Sequence, residues 1–222
     1  MLGCLPPRMT TLLPPRAPYP PRRSAGFLDS FGHAWNGLIH TAVHQRNMRL
    51  HLVSALLVGL VGSGIPLGLA EKVTLIFCVL LIFFAEILNS ALEQLVDLAV
   101  QQFDEKARLT KDAAAAGVLV LAFGTVVIFA AILAHNQHIL ATHVPEILRQ
   151  VALGVPLAAC TAWLVLPHRR PAITDGLAFA LAAVLNLLIA MRSPSHVFSV
   201  LTFGIVVVAA AAARQRQREF RA

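Results

Sequence analysis

Residues 73–97 read VTLIFCVLLIFFAEILNSALEQLVD, an apolar stretch that passes directly into a polar one. At about 100° per residue, a single helix places the polar side chains of this segment on one stripe. We name this set the acidic stripe: Glu86, Asn89, Ser90, Glu93 and Asp97. The opposite face carries Leu88, Leu92 and Leu95. Because acidic side chains at the edge of a membrane span are costly and by default mark a site, the stripe predicts a functional site.

The composition predicts an integral membrane protein. The chain has 222 residues, of which 57% are hydrophobic and 13% are charged, and its mean hydropathy is +0.72. A net charge of +7 alone would suit nucleic acid, but the basic residues stand at the ends of apolar segments, as in membrane proteins. We therefore expect no nucleic-acid partner. Cys4, Cys78 and Cys160 are too far apart to suggest a disulfide framework or a metal motif.

The apolar segments predict an all-α fold, a polytopic membrane helical bundle in three regions. Residues 1–26, rich in Pro and Arg, are expected to form a disordered cytoplasmic tail. Residues 27–134 are expected to hold an amphipathic surface helix over Phe27–Leu52 and three spans, and residues 140–222 about three more. The predicted spans are Leu52–Leu69, one that begins near Glu71 and carries the stripe past the membrane, Asp112–Ala134, and about Ile147–Leu166, Gly176–Met191 and Val197–Ala213.

The distribution of basic residues predicts the orientation of these spans. With six spans and a cytoplasmic amino terminus, fifteen Lys and Arg residues fall inside, and only Lys72, Arg149 and Arg192 fall outside. Both termini and the acidic stripe are then expected at the cytoplasmic side, where ATP is.

Four histidines of the surface segment leave one alternative open. His33, His40, His44 and His51 recur at spacings of 7, 4 and 7 residues, which would allow a metal cluster. We favour histidines that face water at the membrane interface, because no cysteine or paired acid completes a ligand set.

The acidic stripe has the side chains of a cation and phosphate site. Carboxylates and an amide suit a hard divalent cation such as Mg²⁺, which keeps some of its waters and bridges to nucleotide phosphates. A lysine near by, such as Lys111, neutralises charge on a transferred phosphoryl group. Glu86 lies deepest in the apolar region and is a candidate base towards a lipid hydroxyl. The residues alone therefore predict a cation and phosphate site beside the bilayer.

Four motifs carry a family resemblance: AWNGL at 34–38, RNMRLHL at 46–52, EILNSALE at 86–93 with Asp97, and KDAAAA at 111–116. Together they resemble the prokaryotic diacylglycerol kinase and undecaprenol kinase family over about residues 27–134. The resemblance implies a small homotrimeric kinase of the bacterial inner membrane, with a surface helix and three spans per subunit. It also implies transfer of the γ-phosphoryl group of MgATP to a lipid alcohol, diacylglycerol or undecaprenol, at the cytoplasmic face.

The resemblance also implies roles for single residues. Where the family carries a second metal-binding glutamate, this chain has Gln45, whose amide oxygen still ligates Mg²⁺ but without a negative charge. We therefore expect weaker metal affinity than in the family. The roles implied for the other positions are catalytic base for Glu86, Mg²⁺ ligand for Glu93, binding of the ATP phosphates for Asn89 and Lys111, and support of that binding for Asp97 and Asp112.

Three functions follow from these residues. The favoured one is an active lipid kinase. The second is a catalytically weakened kinase-fold protein with a regulatory role, suggested by Gln45 and the added spans. The third is a cation or proton carrier, because carboxylates within a span also serve transport.

Residues 140–222 lie beyond the family resemblance. The run Arg192-Ser193-Pro194-Ser195-His196 resembles the Pro-Ser-Gly-His element of type-2 phosphatidic acid phosphatases but lacks its glycine, and the region is too short for that fold. We therefore expect an appendage that serves packing or partner binding. Arg214–Arg221 is expected to be a basic cytoplasmic anchor for anionic lipid.

Overall fold

A computed structural model describes residues 26–167 and 170–220. Within these ranges the chain has eight α-helices and no strand, which confirms the all-α prediction. The predicted disordered tail lies outside the described residues except for Gly26, the cap of the first helix. The helices are α1 Phe27–His44, α2 Arg46–Gly64, α3 Leu69–Ala99, α4 Glu105–His135, α5 Gln137–Thr142, α6 Val144–Val165, α7 Ala172–Ala190 and α8 His196–Glu219.

Five of the described helices are long and apolar enough to cross a membrane, namely α3, α4, α6, α7 and α8. The protein is therefore a multi-pass membrane protein. The predicted span Leu52–Leu69 is not among the five. Its helix, α2, carries Arg49 and His51 in its first turns and ends at Gly64. The largely apolar part that remains is shorter than the roughly 20 residues that a bilayer requires.

The predicted surface helix Phe27–Leu52 is interrupted at Gln45, so the prediction of one continuous helix was wrong. Gln45 has an extended backbone with φ −93° and ψ 120°, and its N–H donates to the Thr41 carbonyl at 2.9 Å. Beyond this residue, α2 buries Met48 and Leu56 completely. The chain changes direction after α1 because α2 enters the bundle instead of continuing along its surface.

Helices α3 and α4 form an antiparallel hairpin that is tied at both ends. At one end, Nδ2 of Asn136 donates to Oε1 of Glu71 at 2.6 Å. At the other end, Nζ of Lys111 pairs with the Asp97 carboxylate. The hairpin therefore brings the start of α4 next to the end of the acidic stripe.

Helix α4 extends beyond the span predicted from the sequence. The predicted span opens at Asp112, and the helix that contains it starts at Glu105. The reason is Asp104, whose side chain accepts hydrogen bonds from the backbone N–H groups of Lys106 and Ala107 at 2.8 and 3.0 Å. Such a cap satisfies donors that have no partner within the helix, so the polar segment before Asp112 is helical.

The three long C-terminal helices share a core with the N-terminal region. Helix α2 packs against α6 and α8, and the buried residues Leu52, Leu157 and Val206 belong to one apolar cluster. The contact between α2 and α8 requires a glycine, because a Cβ on Gly62 would lie 2.6 Å from the ring of Phe198. The predicted appendage is therefore an integral part of the bundle.

The side chain of Arg216 on α8 closes the carboxyl end of α6. Its guanidinium donates to the carbonyls of Leu164, Val165 and Leu166 at 3.2, 3.0 and 2.6 Å. These carbonyls lack donors within their own helix and carry partial negative charge. Arg216 is 7% exposed. The predicted lipid anchor is therefore wrong for Arg216, which points inward.

The helices run back and forth between two ends of the bundle. At one end, here called the stripe end, His44 of α1 lies 3.4 Å from Glu219 of α8. At the other, here called the distal end, the Ser193 hydroxyl donates to the Ser63 carbonyl at 2.7 Å. The three basic residues that the sequence predicts on the outer side belong to helix ends or connections at the distal end: Lys72, Arg149 and Arg192.

Candidate functional site

The acidic stripe begins as a buried face of α3 and becomes exposed along the helix. Glu86, Asn89 and Ser90 are 1%, 4% and 1% exposed. Glu93, one turn further on, is half-buried, and Asp97 is exposed. The stripe therefore leads from the interior of the bundle to its surface at the stripe end.

The opposite face of α3 points away from the rest of the chain. Leu88, Leu92 and Leu95 are all exposed. The sequence predicted an apolar face and a polar face, and the structure turns the polar one inward. These leucines therefore face lipid or another subunit. Exposure to lipid costs them nothing, because lipid tails are as apolar as leucine side chains.

The carboxylate of Glu86 has no hydrogen bond of normal geometry on either oxygen within the described residues. It lies beside the backbone of Met48, at the contact between α3 and α2. The hydroxyl of Ser90 donates at 2.8 Å to the Glu86 backbone carbonyl and not to the carboxylate. Ser90 therefore belongs to the helix rather than to the site. A buried carboxyl group without donors destabilises a fold, and such a residue within a membrane helix points to function.

Asn89 and Glu93 form a linked pair one turn apart. Nδ2 of Asn89 donates to Oε1 of Glu93 at 3.0 Å, the contact that i and i+4 spacing allows. The amide oxygen of Asn89 is buried and has no hydrogen-bond partner among the described residues. The pair thus offers an unpartnered amide oxygen next to a half-buried carboxylate.

The structure brings Lys111 to the stripe but turns Asp112 away from it. Nζ of Lys111 pairs with Asp97 at the end of the stripe. The Asp112 carboxylate instead accepts from Arg108 on its own helix at 2.8 Å, and Arg108 also binds Glu105 at 2.5 Å. Of the two residues predicted at the start of α4, Lys111 therefore contacts the stripe and Asp112 does not.

Gln45 lies at the junction of α1 and α2 and is half-buried. No hydrogen bond in the described part of the chain links its side chain to the stripe. Nor do the described residues contain three His, Cys, Asp or Glu side chains grouped closely enough to hold a metal ion by themselves. The alternative of a histidine metal cluster in the surface segment therefore has no support, although the rings of His40 and His44 lie 4.3 Å apart.

One basic residue of the motif at 46–52, Arg49, has a structural partner. A guanidinium nitrogen of Arg49 donates to the Val43 carbonyl at 2.6 Å, which closes the end of α1. Burial, together with neighbouring Arg46, lowers the pKa of Arg49. Burial also lowers the pKa of His51, so its neutral ring is favoured. Sequence reasoning missed the capping role of Arg49, since neither periodicity nor motif spacing shows where a guanidinium turns.

A cleft of about 790 Å³ lies away from the stripe, between α1, α7 and α8. Its walls include Trp35 and His40 of α1 together with Arg214 and Arg218 of α8. These two arginines, unlike Arg216, are exposed, in agreement with their predicted place in a basic surface. Arg221 lies outside the described ranges.

The fold and the site define a class, a multi-pass helical membrane protein with a partly buried acidic stripe on one of its spans. The sequence matches the family described as Prokaryotic diacylglycerol kinase over residues 32–133. The chain belongs to this family, as its motifs predicted. The match ends at residue 133.

Three relatives show the extent of the similarity. A diacylglycerol kinase of Synechocystis sp. is 34% identical over 132 residues, which cover 55% of this chain and 75% of the relative. An undecaprenol kinase of Bacillus subtilis is 35% identical over 96 residues, 43% of this chain and 78% of the relative. A diacylglycerol kinase of Escherichia coli is 32% identical over 89 residues, 40% of this chain and 73% of the relative. No solved structure matches the chain.

Proposed function

We propose that this chain is an ATP-dependent lipid kinase that phosphorylates a lipid alcohol, diacylglycerol or undecaprenol. The observation that carries the proposal is the buried Glu86 carboxylate, which has two unpartnered oxygens and shares a helix face with the Asn89–Glu93 pair. A buried carboxylate with no hydrogen bond of normal geometry to the described residues is available to take a proton from a substrate hydroxyl. Relatives named diacylglycerol kinase and undecaprenol kinase support the two acceptors.

In the proposed reaction, Glu86 takes the proton of the lipid hydroxyl while the hydroxyl oxygen attacks the γ-phosphorus of ATP. A bond forms between that oxygen and phosphorus, the bond from phosphorus to the β–γ bridging oxygen breaks, and ADP leaves. Phosphoryl transfer depends mainly on positioning and charge stabilisation. Asn89 and Lys111 are assigned to the ATP phosphates, and Asp97, through its ion pair, positions Lys111. Asp112 supports this end of α4 through Arg108.

The oxygen atoms of the stripe fit a Mg²⁺ ion that arrives with the nucleotide. Such an ion uses one or two protein carboxylates and completes its shell with water and phosphate oxygens. Glu93 and the amide oxygen of Gln45 are assigned as its protein ligands, and the unpartnered oxygen of Asn89 lies beside Glu93. When bound, Mg²⁺ neutralises charge on the β- and γ-phosphates.

We extend the proposal to a homotrimer in the bacterial inner membrane, with both termini and the stripe at the cytoplasmic side. The exposed apolar residues of α4, such as Leu119, Val120 and Phe123, leave this face available to lipid or to another subunit. The native mass of the detergent-solubilised protein tests the trimer. Three copies are expected, and a monomer at every protein concentration would contradict it.

The experiment for the kinase is an assay of the purified full chain with labelled ATP and a panel of diacylglycerol, undecaprenol and ceramide. We expect Mg²⁺-dependent label in at least one lipid, lost on chelation and in Glu93→Ala. The matched control is Glu219→Gln, an exposed carboxylate on α8 that should retain activity. Lipid labelling that survives both chelation and Glu93→Ala would contradict the assigned site.

The presence of Gln45 favours a second candidate function, a catalytically weakened kinase with a regulatory role. If this holds, the natural chain is nearly silent in the assay, and Gln45→Glu restores Mg²⁺-dependent labelling. An active natural chain that Gln45→Glu leaves unchanged argues against it. Ion flux into liposomes without ATP would instead support the carrier.

A further inference from the structure

A second polar cleft, of about 410 Å³, lies at the distal end between the start of α6 and the connection from α7 to α8. Its walls include Arg149, Arg192, His143 and His196, with Glu146 as the single carboxylate. Glu146 lies 3.9 Å from Arg149, and no ion pair in the described ranges involves Arg192. The cleft is therefore positively charged and has an unpaired guanidinium for an anion.

An apolar groove of about 320 Å³ adjoins this cleft and shares Gly64 and Gln150 with it. The groove runs between α2 and α6, and its remaining walls are aliphatic, including Leu57, Val151 and Val155. Because α6 is one of the candidate membrane spans, the groove lies at the depth of lipid tails. A charged cleft next to an apolar groove complements an amphiphilic ligand that has a charged head and one apolar chain.

Gln150 lines both the cleft and the groove, and its amide oxygen has no hydrogen-bond partner in the part of the chain that the structure describes. The residue is 8% exposed, and Oε1 is a buried acceptor without a donor. Leaving such an acceptor unsatisfied is costly, so a ligand with a hydroxyl at this height would stabilise the site. The ester carbonyls of a diacyl lipid are acceptors and do not meet this need.

We propose that the cleft and the groove form one binding site for a lysophospholipid, a lipid with one acyl chain, a free glycerol hydroxyl and an anionic phosphate head. Arg192 binds the phosphate through a charge-assisted hydrogen bond. The free hydroxyl donates to Oε1 of Gln150, and the chain occupies the groove beside Val155. The site lies at the distal end, whereas Glu86 lies about 17 residues along α3, or roughly 26 Å from its start. It is therefore separate from the acidic stripe.

Binding to the full chain in nanodiscs, measured by native mass spectrometry, tests the site with defined probes. They are lysophosphatidylglycerol, the same lipid with its acyl-glycerol hydroxyl replaced by hydrogen, lysophosphatidylcholine and diacyl phosphatidylglycerol. We expect lysophosphatidylglycerol to bind about fivefold more tightly than the deoxy lipid, as one hydrogen bond predicts. We expect lysophosphatidylglycerol to bind more tightly than the zwitterionic lysophosphatidylcholine by a similar factor, as one contact between a basic residue and an anionic head predicts.

Three variants each test one proposed contact between the protein and the lipid. Gln150→Leu should abolish the preference for the hydroxyl, and Arg192→Gln should abolish the preference for the anionic head. Val155→Trp should block the groove and remove binding, whereas Val200→Trp, an exposed position on α8, is the matched control and should not. Thermal unfolding in the same nanodiscs shows whether each variant is folded.

Two results would overturn the proposal. One is a folded natural chain that binds all four lipids equally, which is the behaviour of ordinary boundary lipid. The other is retention of the hydroxyl preference in folded Gln150→Leu, because the acceptor would then lie elsewhere.

Discussion

Glu86 and Arg216 are both buried ionisable side chains, but the fold treats them in opposite ways. Three carbonyls at the carboxyl end of α6 accept hydrogen bonds from the two Nη atoms of Arg216, so its burial is largely compensated, although its Nε has no partner among the described residues. Within the same residues, neither oxygen of Glu86 has a hydrogen bond of normal geometry. A compensated buried charge stabilises a contact between elements, while an uncompensated one is retained at the expense of stability. We therefore assign Arg216 to the fold and Glu86 to the chemistry.

At the residue scale, Arg216→Gln should destabilise the protein by about 2 kcal/mol or more, since hydrogen bonds from a charged group are lost and carbonyls remain unsatisfied. Thermal unfolding of the detergent-solubilised chain measures the effect. Arg218→Gln, an exposed neighbour on the same helix, is the control and should be close to neutral. Equal melting temperatures for the two variants would mean that the α6 cap contributes nothing.

At the element scale, periodicity predicted α3 well because this one helix contains both an apolar span and a polar face. The change from apolar to polar at Glu86 indicates both a span and a face, and the structure retains both. Periodicity could not show the break at Gln45, because the residues on both sides continue a helical pattern. Nor could it show where α4 starts, since that depends on the Asp104 side chain capping the helix.

The candidate site was predictable in part for the same reason. Asn89 and Glu93 are one turn apart, so their contact follows from spacing alone. The pairing of Lys111 with Asp97 depends on the hairpin. The burial of the Gln150 amide oxygen depends on contacts between helices that are distant in sequence, and these contacts cannot be deduced from one sequence.

The contact between α2 and α8 gives a prediction for these elements. Gly62→Ala should destabilise the bundle by about 1–3 kcal/mol, because the added methyl group meets the Phe198 ring. In a Phe198→Leu background the penalty should be much smaller. Gly204→Ala is the control, since no atom lies within 4 Å of its added Cβ, and a helical alanine should be neutral or stabilising. Chemical or thermal unfolding of Gly62→Ala, Phe198→Leu, the double variant and Gly204→Ala measures these changes in stability. If Gly62→Ala costs as much stability in the Phe198→Leu background as in the natural chain, the contact between residues 62 and 198 is contradicted.

At the scale of the whole molecule, the helices sort the basic residues between two ends. The distal end holds Lys72, Arg149 and Arg192, and the stripe end holds the others of the described helices and their connections. Helix α2 joins the same two ends although it is too polar to count among the candidate spans. Five of the described helices are therefore candidate membrane spans, and α2 joins the same two ends while packed against α6 and α8.

Cysteine labelling in intact cells tests which end faces the cytoplasm. Gln101 precedes α4, Gln137 is the first residue of α5, and both are exposed, so they mark opposite ends of α4. Each can be replaced by Cys in a chain without its natural cysteines. We expect an impermeant thiol reagent to label Gln137→Cys and to leave Gln101→Cys unlabelled until the membrane is opened. The reverse pattern would place the acidic stripe outside, away from ATP.

The central claim is that Glu86 is the base of a lipid kinase. The most direct measurement is lipid phosphorylation and thermal unfolding of Glu86→Gln side by side with the natural chain. Because neither oxygen of Glu86 has a hydrogen bond of normal geometry within the described residues, we predict an unchanged or higher melting temperature and a loss of turnover of about 100-fold to 10,000-fold. Turnover that persists in a folded Glu86→Gln protein would contradict the claim.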